Sequence, residues 1–457
     1  SGGTGLPPGN PFYVDRLFIN DGKGQFTLSE GALPFKNTCG SQVSAADFDK
    51  DGDLDLFVCG RVNLENYPNP PRSYLLRNDS KQQAKFTDIT QEVNGELTNI
   101  GLLSSALWTD YDNDGWVDLM LAGEWMPLMV FKNNQGKLTN VTANSGLAGY
   151  TGWWNSLTAA DFDKDGDTDY VAGNLGTNTR FKVSPSQPMR VIAKDFDADG
   201  YIDPICSYFV QGTEYPIYHR DVMISQIPTL QFKFAKYSDY AKATMEDIFS
   251  KEKKQGLYMA DSKIFHTCYI ENKGDGTFDV HPLPVEAQFA PVFGSLAGDY
   301  NDDGLGDILL VGNSWSSDVE TGQYDAFIGL LLTGDGHGTF KSVPGRKSGF
   351  FVNGDAKGMA EMTSKSGSPV ILVAQNAGAL KVFENIRSQG TIIRVKGDDA
   401  FAVMDDGKGG KERREFYHGS GYLSGSSRVL HVPKGTVSVS IVKSNGESRK
   451  IETGAKD

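Results

Sequence analysis

The feature that most constrains this chain is a nine-residue pattern, D-x-[DN]-x-D-G-x-x-D, which occurs five times. A pattern that recurs in this way indicates an array of similar structural units. The copies, called loops 1 to 5, are residues 47–55, 110–118, 161–169, 195–203 and 299–307. We therefore expect one local structure to be repeated along the chain.

The spacing of the acidic residues points to a metal site. Oxygens at positions 1, 3, 5 and 9 converge if the chain turns sharply at position 6, where glycine adopts a positive φ without steric cost. The backbone carbonyl of position 7 completes roughly five or six oxygen ligands, as calcium prefers, whereas magnesium requires stricter geometry. We predict about five structural Ca²⁺ ions, one in each loop, bound by these residues: Asp47, Asp49, Asp51, Asp53 and Asp55; Asp110, Asp112, Asp114, Trp116 and Asp118; Asp161, Asp163, Asp165, Asp167 and Asp169; Asp195, Asp197, Asp199, Tyr201 and Asp203; Asp299, Asn301, Asp303, Leu305 and Asp307.

Short apolar segments flank the loops. Residues 42–46 and 156–160 immediately precede loops 1 and 3. Residues 55–58 and 307–311 begin at the last residue of loops 1 and 5. Nearly continuous apolar runs of this length are typical of strands buried on both faces. Each loop is therefore predicted to be the tip of a β-hairpin. The alternative is that the loops are ordinary Asp/Gly turns without metal.

The loops, together with N-x-G-x-G-x-F stretches at residues 20–26 and 272–278, resemble FG-GAP/VCBS repeats. The resemblance covers residues 1–386 and implies a calcium-bearing β-propeller, a fold best known from the integrin α-subunit head. We expect an all-β protein with a seven-bladed propeller, with six or eight blades as alternatives. The seven units are the five loop-bearing blades, a sixth unit from residue 354 that lacks the acidic ladder, and an amino-terminal strand pair at 16–28 that completes the last blade.

Two regions depart from the repeat. Residues 211–261 are predicted to be an insertion that contains a helix over residues 238–254, because the apolar residues recur at helical spacing and glycine follows. Residues 387–457 are predicted to form a separate small β domain. Within that domain, residues 415–428 resemble the ASPIC/UnbV domain that follows VCBS propellers in secreted bacterial proteins, especially large cell-surface proteins of the Bacteroidetes type.

Charge and composition restrict the partners and the cellular location of the protein. The chain of 457 residues has a formal net charge of −14, which argues against a nucleic acid partner. It has no apolar run long enough to cross a membrane. Weak calcium loops are useful where calcium is abundant, so we predict an extracellular, outer-membrane surface or periplasmic location. The opening at Ser1 also suggests a part of a longer polypeptide.

Four cysteines allow three disulfide pairings, and the sequence does not choose among them. Hairpin register around loop 1 places Cys59 opposite Val43 rather than Cys39. Cys206 and Cys268 fall in what reads as one blade and could form a disulfide bond. Buried free thiols are the alternative.

The predicted function is binding rather than catalysis. The sequence contains no H-E-x-x-H, G-x-S-x-G, phosphate-loop or dinucleotide motif. At the blade ends opposite the loops, aromatic, amide and carboxylate groups suit a glycan or a protein partner. The candidate ligand-binding residues are Glu124, Trp125, Trp154, Asn155, Asn174, Asn178, Asn313 and Trp315, of which Trp125 and Trp315 are predicted to be exposed.

Two other functions stay open. A carbohydrate-active lyase or hydrolase would need Tyr218, His219, Arg220 and Asp221 to face an open channel, with Tyr or His as the base and Arg neutralising a uronate. Alternatively, the chain is a purely architectural segment of a larger surface protein.

Overall fold

The fold is almost entirely β-structure. The computed structural model describes residues 10–34, 39–249, 256–319, 321–365, 367–386, 391–407, 410–422 and 424–453. These residues form strands throughout and only short helices, which confirms the all-β class. Within these ranges, no helix has the length and apolar character needed to cross a bilayer.

The amino-terminal strands β1 (Phe18–Asn20) and β2 (Phe26–Leu28) precede five antiparallel sheets that follow the repeat, numbered sheets 1 to 5. Sheet 1 contains β3 (Cys39–Ala46), β4 (Asp55–Val62), β5 (Tyr74–Asn78) and β6 (Phe86–Asp88). Sheet 2 contains β7 (Leu102–Thr109), β8 (Asp118–Met126), β9 (Met129–Asn133) and β10 (Leu138–Asn140), with β11 (Gly152–Trp153) beside β8.

Sheet 3 is interrupted in sequence by a complete additional sheet, which we call the inserted sheet. Sheet 3 begins with β12 (Ser156–Ala160) and β13 (Asp169–Gly173). The inserted sheet contains β14 (Met189–Lys194), β15 (Asp203–Val210), β16 (Thr213–Pro216) and β17 (Tyr258–Ser262), and sheet 3 then resumes with β18 (Cys268–Asn272) and β19 (Phe278–Pro282).

Sheets 4 and 5 follow sheet 3 directly. Sheet 4 contains β20 (Val292–Gly298), β21 (Asp307–Gly312), β22 (Leu330–Gly334) and β23 (Phe340–Val343), and sheet 5 contains β24 (Ala356–Thr363), β25 (Pro369–Gln375) and β26 (Lys381–Glu384). The expected unit from residue 354 therefore exists, with three strands. The short α-helices are α1 (Thr90–Asn94), α2 (Arg220–Gln226), α3 (Leu230–Lys233), α4 (Tyr237–Tyr240), α5 (Met245–Ile248) and α6 (Gly345–Ser348).

The five sheets contact one another in succession through their first strands, β3, β7, β12, β20 and β24. The Gln42 side chain joins sheets 1 and 2, because its amide donates to the Ala106 carbonyl at 3.1 Å and accepts the Ala106 N–H at 3.0 Å. Separate apolar clusters fill the space between neighbouring sheets. The strands of sheets 2 to 4 are therefore covered on both faces, as their apolar sequences predict.

The predicted insertion over residues 211–261 is too short. Loop 4 does not belong to the row of sheets, because it joins β14 and β15 of the inserted sheet. The predicted helix over 238–254 is also wrong: α4 and α5 replace it, and residues 250–254 lie outside the described residues. Thr244 separates the two helices, since its hydroxyl and Asp247 cap the start of α5 in a reciprocal pair of hydrogen bonds.

The amino-terminal strands do not complete sheet 5. Within the described residues β1 pairs with β2, and the following Ala32 carbonyl accepts the Phe86 N–H of β6 at 2.8 Å. This bond holds the amino-terminal segment at the outer strand of sheet 1. The seven-blade count, which depended on completion of the last blade and on loop 4, is therefore not confirmed.

The carboxy-terminal region forms its own β-structure. Its strands are β27 (Thr391–Arg394), β28 (Asp399–Asp405), β29 (Lys411–Glu415), β30 (Val429–Val432), β31 (Ser438–Lys443) and β32 (Ser448–Glu452). Ala402, Met404, Leu430, Val439 and Ile441 belong to a separate apolar cluster between these strands. We call this region, from β27 to β32, the carboxy-terminal unit.

Residues 416–422 and 424–427, called the bridging segment, connect the two ends of the row of sheets. The His418 carbonyl accepts the Ala45 N–H of sheet 1 at 2.9 Å. The Ser424 hydroxyl donates to the Met359 carbonyl of sheet 5 at 2.9 Å. The row is thus bridged from sheet 5 to sheet 1 by residues that the sequence analysis assigned to the carboxy-terminal domain.

All four cysteines are buried, and none of them forms a disulfide bond. The suggested disulfide between Cys206 and Cys268 is not formed, and the two residues do not share a blade, since the first lies in the inserted sheet and the second in sheet 3. The predicted register at loop 1 is wrong by one residue, since Val43 pairs with Val58 rather than with Cys59.

Candidate metal centres and the opposite cavity

Each loop is the tip of a hairpin, as predicted. The strands that flank loops 1 to 5 pair as β3 with β4, β7 with β8, β12 with β13, β14 with β15 and β20 with β21. In loop 3, for example, Ala160 pairs directly with Asp169. Positions 1 and 9 are therefore brought to the same end of the hairpin.

Two residues in each loop have a left-handed backbone. The glycine at position 6 has a positive φ, for example 100° at Gly52 and 83° at Gly304. Position 4 is also left-handed in every loop, at Lys50, Asn113, Lys164, Ala198 and Asp302. The sequence revealed the first of these turns but not the second, because no single residue type marks position 4.

The loop backbone orients the acidic side chains in the same way in each copy. The side-chain oxygen at position 3 accepts the N–H of position 5, as Asp49 does from Asp51 at 3.3 Å. The oxygen at position 5 accepts the N–H of position 7, as Asp303 does from Leu305 at 2.9 Å. These bonds hold side-chain oxygens near the centre of the loop before any cation binds.

The carboxylates converge in four of the loops. Three carboxylate oxygens lie within 4.8 Å of one another in each of these groups: Asp47, Asp49 and Asp51; Asp110, Asp112 and Asp118; Asp161, Asp163 and Asp169; Asp195, Asp197 and Asp199. In loop 5 the residue at position 3 is Asn301, whose amide oxygen accepts the Asp303 N–H at 2.9 Å. Loops 1 to 4 thus each present several carboxylate oxygens at one point, and loop 5 repeats their bond from position 5 to position 3.

Unpartnered oxygens show that these residues fit a cation. Asp53 Oδ1, Asp55 Oδ2 and Asp161 Oδ1 are buried without a hydrogen-bond partner. Buried charged oxygens are costly unless a hydrogen bond or a metal satisfies them. The donor set is entirely oxygen, which is the preference of Ca²⁺. Coordination by the carbonyls of position 7 stays a prediction.

The aspartates at position 9 are the most buried members of the loops. Asp55, Asp118, Asp169 and Asp307 have no exposed surface. Burial raises the pKa of Asp55 and of Asp169 to about 8, and that of Asp118 to about 9, and neighbouring carboxylates raise these pKa values further. A bound divalent cation would favour the charged form and so offset this cost.

An asparagine on the third strand, which the sequence analysis missed as a site residue, supports position 9. Asp118 accepts the Asn133 N–H at 2.6 Å, and Asp169 accepts the Asn272 N–H at 2.9 Å. The Asn133 amide also donates to the Phe48 carbonyl of loop 1 at 2.7 Å, so this residue links neighbouring loops. For Asn272, which opens the N-x-G-x-G-x-F stretch, that motif was the available signal, whereas Asn133 does not open such a stretch.

The carboxy-terminal unit covers loops 2 and 3. The Arg413 guanidinium donates to Asp110 Oδ2 at 2.8 Å, and the Arg413 N–H donates to Asp161 Oδ2 at 3.0 Å. A second cation at loop 2 comes from sheet 2 itself: Lys132 of β9 forms ion pairs with Asp112 and Asp114. Burial still raises the pKa of Asp110 to about 6, although Arg413 opposes the shift.

A cavity of about 390 Å³ lies at the strand ends away from the loops, and Glu124 and Asn155 of the predicted binding face line it. Trp154, Asn174 and Asn313 do not, because they are buried in the protein interior. Asn178 also lies outside the lining, and its amide donates to the Phe289 carbonyl at 3.0 Å.

The two tryptophans predicted to be exposed differ. Trp125 is only 5% exposed, so that prediction is wrong: its indole N–H donates to the Tyr67 hydroxyl at 2.7 Å, and its ring packs edge-on against Trp153. Trp315 is 41% exposed, as expected, but it does not line the cavity.

The residues of the enzyme alternative do not converge on this cavity. Tyr218 lines it, whereas His219, Arg220 and Asp221 do not. His219 caps the start of α2, and Arg220 donates to the Phe234 carbonyl at 2.7 Å and forms an ion pair with Asp221. These three side chains therefore stabilise the helical part of the insertion.

Comparison with known proteins identifies the repeat. Residues 8–58 and 110–172 match the FG-GAP-like repeat family, and these segments include loops 1, 2 and 3. The chain therefore contains FG-GAP-like repeats. The ASPIC/UnbV resemblance of the carboxy-terminal region stays a prediction.

The other comparisons are weaker. No curated protein sequence matches the chain. Among solved structures, the crystal structure of the V. cholerae biofilm matrix protein Bap1 is similar at 12% identity with a TM-score of 0.26. The alignment covers 92% of this chain and 60% of that chain, so the chain spans less than two thirds of the matched protein.

Proposed function

We propose that this protein is a calcium-stabilised, non-catalytic binding or scaffold module of an exported polypeptide, with a glycan or a protein at a cell surface as its partner. In this proposal sheets 1 to 5 are blades of a β-propeller. The bridging segment supports that arrangement, because it contacts both sheet 1 and sheet 5.

The observation that carries the proposal is the placement of the acidic loops. They lie at hairpin tips, their oxygens are oriented by their own backbone, and the carboxy-terminal unit covers two of them. Carboxylates held in this way are suited to bind a structural cation rather than to transfer protons to a substrate. Since ligands must be gathered and deprotonated, metal binding then contributes to folding free energy.

The metal part of the proposal is tested by elemental analysis and thermal unfolding of the same sample, with and without a chelator. We expect about five calcium ions per chain and a large fall in Tm on chelation, because each ion joins two strands of a hairpin. At most one ion, with Tm unchanged by chelation, would contradict the proposal.

A matched pair of variants in loop 5 sharpens this test. Asp303→Ala removes a ligand at position 5 and should lower the calcium count by one. Asp302→Asn changes position 4, which is outside the predicted ligand set, and asparagine tolerates the left-handed backbone there. The count should then be unchanged.

The binding part is tested by screening the calcium-loaded chain against arrays of glycans and of cell-surface proteins. Specific binding to one class supports the proposal. Binding to neither class would favour the architectural alternative.

A further inference from the structure

The cavity opposite the loops is built from both repeat and non-repeat parts of the chain. Arg61 of β4 and Glu124 of β8 line it from sheets 1 and 2. Asn155 and Pro291 line it from the segments that enter sheets 3 and 4, and Tyr218 lines it from the insertion. The segment between β16 and α2 therefore provides a wall to the space at which several sheets meet.

The cavity contains polar groups that are available to a ligand. Arg61 and Glu124 form an ion pair whose side chains are 21% and 20% exposed. Asn155 is only 6% exposed; its backbone N–H donates to the Gly173 carbonyl at 2.7 Å, and the residue lines the cavity. An amide at the wall of such a cavity favours a ligand that supplies both a donor and an acceptor, because polar groups that a ligand covers are costly to leave without hydrogen bonds.

The rest of the lining is rich in aromatic rings. The Trp153 ring packs edge-on against Trp125, with ring centroids 5.0 Å apart, and against Phe265, with ring centroids 5.9 Å apart. Phe181 and Tyr324 also line the cavity. Rigid aromatic surfaces beside a few polar groups are typical of small-ligand sites. A sugar ring matches both parts, because it has an apolar C–H face and hydroxyl groups at its edge.

The size and charge of the cavity restrict the class of ligand that it can bind. A volume of about 390 Å³ accommodates a small molecule or a single protruding group, but not a folded partner. The described lining contains one positive side chain, Arg61, and two negative ones, Glu124 and Asp318. Because the excess charge is negative, the cavity disfavours uronate and sialate.

We infer that this cavity binds a neutral pyranose residue of a glycan, with Asn155 and the Arg61–Glu124 pair contacting its hydroxyl groups and Trp153 forming part of the aromatic wall. This inference rests on the proposed binding function and selects the glycan from its two partner classes. It also assigns a role to the insertion, which closes one side of the site.

The test uses the calcium-loaded full chain on an array that contains neutral oligosaccharides and uronate- and sialate-terminated ones. Calorimetry with the neutral oligosaccharide that binds most strongly then compares the wild type with Asn155→Leu and Trp153→Phe. We expect each variant to bind at least about tenfold more weakly, because Asn155→Leu removes a polar contact and Trp153→Phe removes part of the aromatic wall. Asn155→Leu approximately preserves side-chain shape, Trp153→Phe retains an aromatic ring, and the Tm of each variant establishes that it is folded.

Asn144→Leu is the matched control, since Asn144 is exposed and does not line the cavity. Its affinity should equal that of the wild type. Neutral-glycan binding that is unaffected by Asn155→Leu and Trp153→Phe would overturn the inference and leave the proposed function standing. Preference for acidic glycans, or binding to proteins alone, would also overturn the inference and leave the proposed function standing. Binding to neither partner class would contradict both.

Discussion

Loops 3 and 4 have the same nine-residue pattern but different surroundings. Asp169, at position 9 of loop 3, is fully buried and accepts the Asn272 N–H and the Tyr269 hydroxyl, both at 2.9 Å. Asp203, at position 9 of loop 4, is 8% exposed and accepts the Phe196 N–H at 2.9 Å. The short motif therefore builds the same turn twice, whereas the adjoining strands decide how completely the carboxylate leaves water.

Position 1 shows the same contrast. Asp161 of loop 3 is 2% exposed and accepts the Arg413 N–H from the carboxy-terminal unit. Asp195 of loop 4 is half-buried, and its described hydrogen bonds come from within its own loop. Loop 3 is thus part of a tertiary interface, while loop 4 is a local structure on an inserted sheet. We therefore expect substitutions in loop 3 to lower the free energy of unfolding more than substitutions in loop 4.

The largest effect is expected from breaking the interface at the covered loops. Arg413→Met would leave Asp110 buried without its ion-pair partner and should lower the free energy of unfolding by roughly 3–5 kcal/mol, the usual cost of breaking a buried pair. Chemical denaturation measures this change. Hydrogen exchange should increase at loops 2 and 3 and stay unchanged at loop 4.

Arg394→Met is the control, because Arg394 is exposed. This substitution should change the free energy of unfolding by less than about 0.5 kcal/mol. Equal effects of the two substitutions, or equal exchange at loops 3 and 4, would remove the distinction between a covered and a local loop.

A smaller effect is expected at position 9 itself. Asp169→Ala leaves the Asn272 N–H and the Tyr269 hydroxyl buried without an acceptor, and should destabilise the protein by roughly 2–4 kcal/mol. Asp203→Ala should cost about 1 kcal/mol, since one backbone donor is affected. Both values are measured by denaturation of the calcium-free protein, and a reversed order would contradict the comparison.

The smallest effect concerns pH in the calcium-free protein. Burial raises the pKa of Asp169 from 3.8 to about 8, so the folded state binds a proton more tightly than the unfolded state does. The favourable contribution is complete below about pH 4 and is lost as the pH rises towards 8. Relative to Asp169→Asn, the wild type should lose at least about 1 kcal/mol over this range, the equivalent of one pKa unit.

Asp203→Asn is the comparison for this titration. Burial raises the pKa of Asp203 as well, but that side chain retains some exposure. Its pH-dependent difference from the wild type should therefore be smaller. Denaturation curves at pH 5 and pH 8, with a chelator present, measure both differences.

Local patterns predicted the local structure well. The positions of the hairpin tips, the glycine turns and the flanking apolar strands follow from short stretches of sequence, because glycine stereochemistry and strand periodicity act over a few residues. The prediction of one helix over residues 238–254 was wrong because the apolar periodicity continues across Thr244. At that residue, the capping interaction with Asp247 begins a new helix. The apolar pattern records which residues become buried, not where one helix ends.

Sites that depend on distant residues were predicted only in part. Glu124 and Asn155 do line a cavity at the opposite strand ends, whereas Trp125 is covered by Tyr67 and Trp153. Arg413 contacts loops 2 and 3 across sequence separations of 303 and 252 residues. Contacts of this kind leave no regular spacing in the sequence.

The sequence by itself determined that this chain is a β-protein with five acidic hairpin tips, since each tip is encoded by nine consecutive residues. Only the tertiary structure decided that loop 4 lies in an inserted sheet and that the bridging segment connects sheets 5 and 1. Loops that share one pattern become different sites because the neighbouring strands set the burial of their charges and the partners of their buried oxygens.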